Sequence, residues 1–140
     1  FSKYTFALTL VDATIPQVIK GLNNCLQYLG GVPLSLKTDN MKQVVTKSCR
    51  YEPVFTEALQ QWALHYNITL LATRVAKPKD KSAVENEVKI AYQRIYAPLR
   101  DEVFSSFNQL QAAIQKQLAL HNEKQFQLKD HSRQCLFLPC

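Results

Sequence analysis

The chain has 140 residues, 46% of them apolar and 20% charged, a balance that supports one packed core, leaves no room for two ordinary domains and lies far from the composition of disordered chains. Its formal charge of +6 favours a polyanionic partner without requiring one, since modest net charge also serves solubility. No apolar run approaches the roughly 18 residues of a membrane span, and Cys25, Cys49, Cys135 and Cys140 form no CxxC pair and have no His at zinc-ligand spacing, which argues against a zinc site and for reduced cytosolic thiols rather than a disulfide framework.

Phe1-Ser2-Lys3-Tyr4 carries neither an initiator Met nor a basic-then-apolar leader, so the chain is expected to be a piece of a longer soluble protein. Tyr4 to Val11, rich in aromatic, Thr and branched residues, predicts a strand. Asp12 to Pro16 then offers a cap and an early-helix proline. The ensuing helix aligns Ile15, Val18, Leu22, Cys25/Leu26 and Leu29 on one face and stops at Gly30-Gly31. Val32 to Thr38 is a short strand ending at Asp39. Asn40 to Val54 has no periodicity and predicts a loop of about fifteen residues, longer than compact domains keep without a use. A second helix from near Thr56 places Leu59, Trp62 and Tyr66 on a core face, and Asn67 supplies the left-handed turn into a strand over Ile68 to Thr73.

Arg74 to Lys81 comes next as a basic loop. The helix after it is expected to pack Val84, Val88, Ala91, Ile95 and Leu99 inward, with Pro98 disturbing its end. A final helix from about Ser105 aligns Phe107, Leu110, Ile114 and Leu118, and beyond His121 the pattern dissolves. Alternating strands and helices predict an α/β layer with parallel neighbours, whose ligands sit beyond the carboxyl ends of the strands. Asp39 stands at such an end, and right-handed crossovers would bring Glu85 to the same side. Around them lie Lys37, Lys42, Lys47, Arg50, Arg74, Lys77, Lys79 and Lys81.

Carboxylates from separate elements suit Mg²⁺, which takes hard oxygen ligands and keeps positions open for phosphate oxygens. Two such ions about 4 Å apart activate an attacking oxygen and stabilise a leaving one in phosphodiester displacement. Lysines and arginines around them would hold a DNA backbone, and Tyr51 could stack on a base. Plainer readings compete. Asp39-Asn40 also suits an ordinary turn, Ser82-Ala-Val-Glu85 matches a capping box, Glu87 reads as a solvated charge, His65 as a helix-dipole contact, His121 and His131 as groups without evident partners, and Trp62 and Tyr66 as core.

Thr38-Asp39-Asn40-Met41-Lys42, then Val45-Thr46-Lys47, Cys49-Arg50-Tyr51-Glu52-Pro53, His65-Tyr66, Lys77-Pro78-Lys79-Asp80-Lys81 and Val84-Glu85 form an ordered set that closely resembles the istA-type transposases of bacterial insertion sequences with a two-gene operon. The likeness runs from the first strand to about Leu118. It implies a ribonuclease-H-like integrase core of the three-carboxylate (DDE) class, here a fragment lacking the first two strands, over 1–122, with 123–140 beginning a linker or extension. It implies Asp39 as the second and Glu85 as the third metal-binding carboxylate, two Mg²⁺ or Mn²⁺ ions, and 3′-end cleavage and strand transfer of transposon DNA in the intact parent. The family's first catalytic Asp lies on an earlier strand, so the fragment alone is expected to be inactive; Asp12 is read as a cap.

Lys42, Lys47, Arg50, Lys79, Lys81 and Lys89 are the expected DNA contacts, Lys89 one turn after Glu85. The implied partners are transposon and target DNA, an ATP-dependent helper protein from the same operon and further copies of the transposase, all in the bacterial cytoplasm at the nucleoid and none in a membrane. Ser82 and Ala83 depart from the Gly and Lys frequent in the family, which favours the capping box. The rival function is a non-catalytic DNA-binding or assembly remnant; an ordinary small-ligand α/β domain is a third reading, and would show an apolar pocket at the strand ends. A strand left without its hairpin partner also predicts self-association through sheet edges.

Overall fold

The computed structural model describes residues 2–39, 41, 44–47, 54–73 and 78–138, without the side chains of residues 47 and 78–81. The chain divides into two compact units, one of residues 10–84 and one of residues 1–9 and 85–140.

In the first unit, α1 (Ile15–Leu29) begins at Thr14, with Pro16 in its first turn, and ends at Gly30, whose φ of 70° is the left-handed conformation glycine adopts without a Cβ penalty. Asp12 acts two residues before the cap: its Oδ1 accepts from the Thr14 N–H at 3.0 Å and from Thr14 Oγ1 at 2.6 Å. These bonds hold the Asp12 carboxyl below its ordinary pKa. The strands β1 (Ser35–Thr38) and β4 (Thr69–Ala72) pair in parallel, Ser35 opposite Thr69 and Thr38 opposite Ala72. Between them come β2 (Val45–Lys47), β3 (Val54–Phe55) and the crossing helix α2 (Glu57–Tyr66). β2 and β3 are antiparallel, with an irregularity between Val45 and Lys47. The stretch expected to be one long loop therefore contains a strand and reaches a second, because Val44 and Val45 are buried in the core and need the pairing that burial demands.

That core joins Val44, Val45, Leu59, Trp62, Ala63 and Ile68, with Val18, Ile19, Leu22 and Leu26 of α1 packed against it. Trp62 and Tyr66 take the core places expected of them. Their polar ends share one acceptor, Asn23 Oδ1, at 2.8 Å from Trp62 Nε1 and 3.3 Å from Tyr66 Oη. Asn67 closes α2 with φ 56°, as its position before a strand predicts. Cys25 is half-buried, and burial raises its thiol pKa.

In the second unit, α3 (Pro78–Ala91), whose first residues belong to the other unit, continues into a π-helical turn (Tyr92–Tyr96) and a 3₁₀ turn (Ala97–Leu99). Then comes α4 (Phe107–Glu123), capped by Ser106 Oγ on the Gln109 N–H at 3.3 Å, and α5 (Arg133–Phe137) closes the described chain. Ile95, Leu99, Ile114 and Leu118 are its buried apolar residues. Residues 124–138, where the apolar pattern dissolves, hold a bridge between Gln125 and Ser132, a stack of Phe137 on Tyr4 at 4.4 Å and the buried Arg133.

Three expectations are corrected here. No strand forms over residues 4–11. A strand needs a neighbouring edge, and helix α4 takes that place: Asn122 accepts from the Thr5 N–H at 3.0 Å and donates to the Thr5 carbonyl at 2.7 Å. Gln115 donates to the Ala7 carbonyl at 3.2 Å, and Gln111 brackets the Thr9 main chain. Alternate residues of the segment are thus held by amide side chains of one helix, running antiparallel to it.

Second, α3 begins at Pro78, so Ser82 is its fifth residue and is no N-cap. Third, Val84 and Val88 are exposed while Glu87, Ile90 and Ala91 are half-buried. The π turn supplies the reason. An i→i+5 turn takes up an extra residue, so the face that continues upstream from the buried Ile95 passes through Ile90 and Glu87 instead of through the α-spaced Val88 and Val84. Glu87, expected in solvent, is the residue so turned inward.

Candidate metal and DNA site

Asp39 leaves the carboxyl end of β1, where Thr38 still accepts from the Thr73 N–H at 2.9 Å. Its side chain is exposed, and its Oδ1 accepts a long bond of 3.4 Å from the Met41 N–H. The turn reading of Asp39 is thus partly realised, yet it occupies one oxygen weakly. Glu85 is exposed on α3, as is Lys89 four residues on, which puts both on one helix face. Among the described residues no ion pair joins either carboxylate to a cation. Lys37 is exposed on β1 beside Asp39. Lys42, Arg50, Tyr51, Arg74 and Lys77 lie outside the described residues, as do the side chains of Lys47, Lys79 and Lys81.

Exposed carboxylates such as these offer the hard oxygen donors that Mg²⁺ or Mn²⁺ requires. The donor chemistry therefore fits. Among the described residues no group of three His, Cys, Asp or Glu comes together as a metal cluster, so the fit extends to the two residues and not to a complete ligand set.

No family model matches the chain. Curated relatives do. It is 35% identical over 132 residues to an inferred transposase of insertion sequence IS408 from Burkholderia multivorans, covering 94% of this chain and 26% of that protein. It is 36% identical over 136 residues to an inferred transposase of Sinorhizobium fredii, covering 97% and 26%. Among solved structures, the catalytic core domain of BIV integrase superposes with a TM-score of 0.71 at 17% identity, over 97% of this chain and 78% of that one. The simian T-cell lymphotropic virus intasome, solved with PP2A regulatory subunit B56 gamma, gives 0.68 at 18% identity, over 90% and 41%. The chain is a homologue of insertion-sequence transposases with the integrase-core fold. The ribonuclease-H-like α/β expectation thus holds. This homologue spans about a quarter of the curated relatives it matches, and no helix among its described residues is long and apolar enough to cross a membrane.

Sequence reasoning missed a polar cluster in this transposase homologue. Glu87 Oε1 accepts from Lys3 Nζ at 2.8 Å, and its Oε2 lies 3.6 Å from the Arg133 guanidinium. Arg133, with 4% of its side chain exposed, also lies 4.7 Å over the Phe126 ring. Burial opposes the Glu87 charge, but Lys3 and Arg133 outweigh it and hold the carboxyl below its usual pKa. No local signal marks this pairing, since its members are far apart in sequence.

His121, expected to lack a partner, is buried in the same unit with Nε2 3.3 Å from Thr5 Oγ1 and, among the described residues, no hydrogen bond to Nδ1. Burial first, then the Arg133 and Arg94 charges and more weakly Lys124, pull its pKa down to about 4, with Glu87 opposing. The unfolded imidazole has a pKa of about 6.5, so unfolding takes up a proton in acid. Stability is therefore full above pH 6.5 and falls as the pH drops from there towards 4, by an amount on the order of 2–3 kcal/mol. Urea midpoints at pH 7 and pH 4.5 will show this loss, and His121→Gln will flatten it; an equal loss in the variant would remove His121 as the cause.

Proposed function

We propose that the chain is the catalytic-core segment of a DNA transposase, a polynucleotidyl transferase whose intact form cuts transposon 3′ ends and joins them to target DNA. The observation that carries this reading is Asp39, an exposed carboxylate with no ion pair to a cation among the described residues, at the carboxyl end of a parallel strand in an integrase-core fold. Asp39 and Glu85 hold divalent metal, two Mg²⁺ or Mn²⁺ ions in the intact site. When bound, those ions supply Lewis-acid stabilisation of the attacking and leaving oxygens of an in-line displacement. The chain's own residues do the rest: the carboxylates orient the donor oxygens, and Lys42, Lys47, Arg50, Lys79, Lys81 and Lys89 bind the phosphate backbone by charge.

Transposon ends, target DNA, an ATP-dependent helper protein of the same operon and further transposase copies are the partners, at the bacterial nucleoid. The test is 3′-end cleavage by the whole transposase on a DNA carrying its element's end. Cleavage that appears with Mg²⁺ or Mn²⁺ and vanishes with chelator supports the reading, and metal-independent cleavage overturns it.

DNA affinity carries a further expectation. Each phosphate contact contributes about −0.9 to the slope of log K against log salt. Lys89→Ala in the whole protein will make that slope shallower by about one, as fluorescence anisotropy across a salt series will read; an unchanged slope removes Lys89 from the DNA surface.

A further inference from the structure

Glu87 stands two residues after Glu85, about 200° around the helix at 100° per residue. One acid therefore faces solvent while the other faces the interior of its own unit, and both facts follow from the same helix phase. The inward acid is tied twice, to Lys3 at 2.8 Å and to Arg133 at 3.6 Å. Both ties have structural cost. Lys3 adopts φ 53°, a left-handed backbone that a lysine rarely takes and that persists only where its surroundings fix it. Arg133 is almost wholly buried, and among the described residues Glu87 is its only ion-pair partner. A buried guanidinium with one counter-charge holds that charge firmly, because losing it leaves an uncompensated ion.

We infer that Glu87 is a positioning residue for Glu85: clamped between Lys3 and Arg133, it fixes the rotation of α3 about its axis and so the direction in which Glu85 is presented. This rests on the reading of Glu85 as a metal ligand. The clamp spans three segments distant in sequence, the first residues of the chain, α3 and α5. The last residues of the described chain thereby act on the acid that opens this unit's part of α3.

The experiment uses the whole transposase with Glu87→Gln, which keeps shape and removes charge, and with Arg133→Gln and Arg133→Lys. Glu85→Gln is the control. Strand-transfer kinetics are read with amide hydrogen exchange over residues 85–91 and, for comparison, over α4. Glu87→Gln is expected to lower kcat at least tenfold with KM for DNA unchanged, and to speed exchange in 85–91 at least tenfold while α4 stays slow. Arg133→Lys, which restores the counter-charge, is expected to recover most of what Arg133→Gln loses.

Wild-type kcat and slow exchange in Glu87→Gln, with Glu85→Gln inactive, would overturn the positioning role and leave the metal reading intact. Full activity in Glu85→Gln would overturn both. Uniformly faster exchange across α3 and α4 in Glu87→Gln would make the clamp a general stabiliser and overturn the inference. Should Arg133→Gln fail to fold, Glu87→Gln still decides, because its side chain lies at the unit's edge with 27% exposure.

Discussion

Asp39→Asn in the whole transposase is expected to reduce 3′-end cleavage and strand transfer by at least about a thousandfold, some 4 kcal/mol of transition-state stabilisation, while leaving the fold untouched. The two halves of that expectation have separate grounds. Chemically, the amide keeps one carbonyl oxygen but loses the negative charge that binds a hard cation. Structurally, Asp39 is exposed and, among the described residues, accepts one long bond from the Met41 N–H, which an Asn oxygen accepts equally well in the same kind of turn.

Glu85→Gln is expected to behave alike, since Glu85 is exposed on α3 and its replacement costs at most about 0.5 kcal/mol of stability. Cleavage assays beside thermal unfolding of the same preparations will check both. If both variants transpose as well as the wild type, the chain is a non-catalytic DNA-binding or assembly element instead. A loss of activity that tracks a loss of stability would remove the support these residues lend to catalysis.

Asn122→Ala is expected to destabilise the fold by about 3 kcal/mol. Asn122 is 1% exposed and satisfies both the N–H and the carbonyl of Thr5. Removing its amide strands two main-chain groups, each costing about 1–3 kcal/mol when left unsatisfied, and opens a small void. Gln115→Ala removes one bond from a half-buried site and should cost nearer 1 kcal/mol. Urea denaturation of both variants will rank them, and equal midpoints would mean that residues 4–9 are held by something other than α4.

How much of the fold and of the site was legible in the sequence depended on how local its cause was. Gly30 and Asn67 end their helices in the left-handed conformation their side chains permit, and Asp39 succeeds a strand as its neighbours predict, because each outcome is decided within a few residues. Residues 4–9 have the composition of a strand, but composition names a preference and not the partner, and three amides more than a hundred positions away took the partner's place. Pro78 was legible in principle, since a residue without an N–H suits the first turn of a helix; the dense charge of residues 74–81 reads instead as a basic loop. The face of α3 was not legible from a 3.6-residue period, which assumes one phase from end to end. Glu87 was lost with it, and its partner Arg133 lies where the apolar pattern had ended.

That broken phase bears on how relatives of this chain should be aligned. A one-residue gap near Tyr92 in a related sequence would ordinarily be dismissed as slack between elements. Here it would convert the π turn to a plain α turn and rotate everything upstream in α3 by about 100° relative to the turns downstream of it. Two relatives could then match at every acidic position and still aim their acids differently. For this helix the spacing between Glu85 and Ile95, ten residues apart, carries as much information as the identity of either.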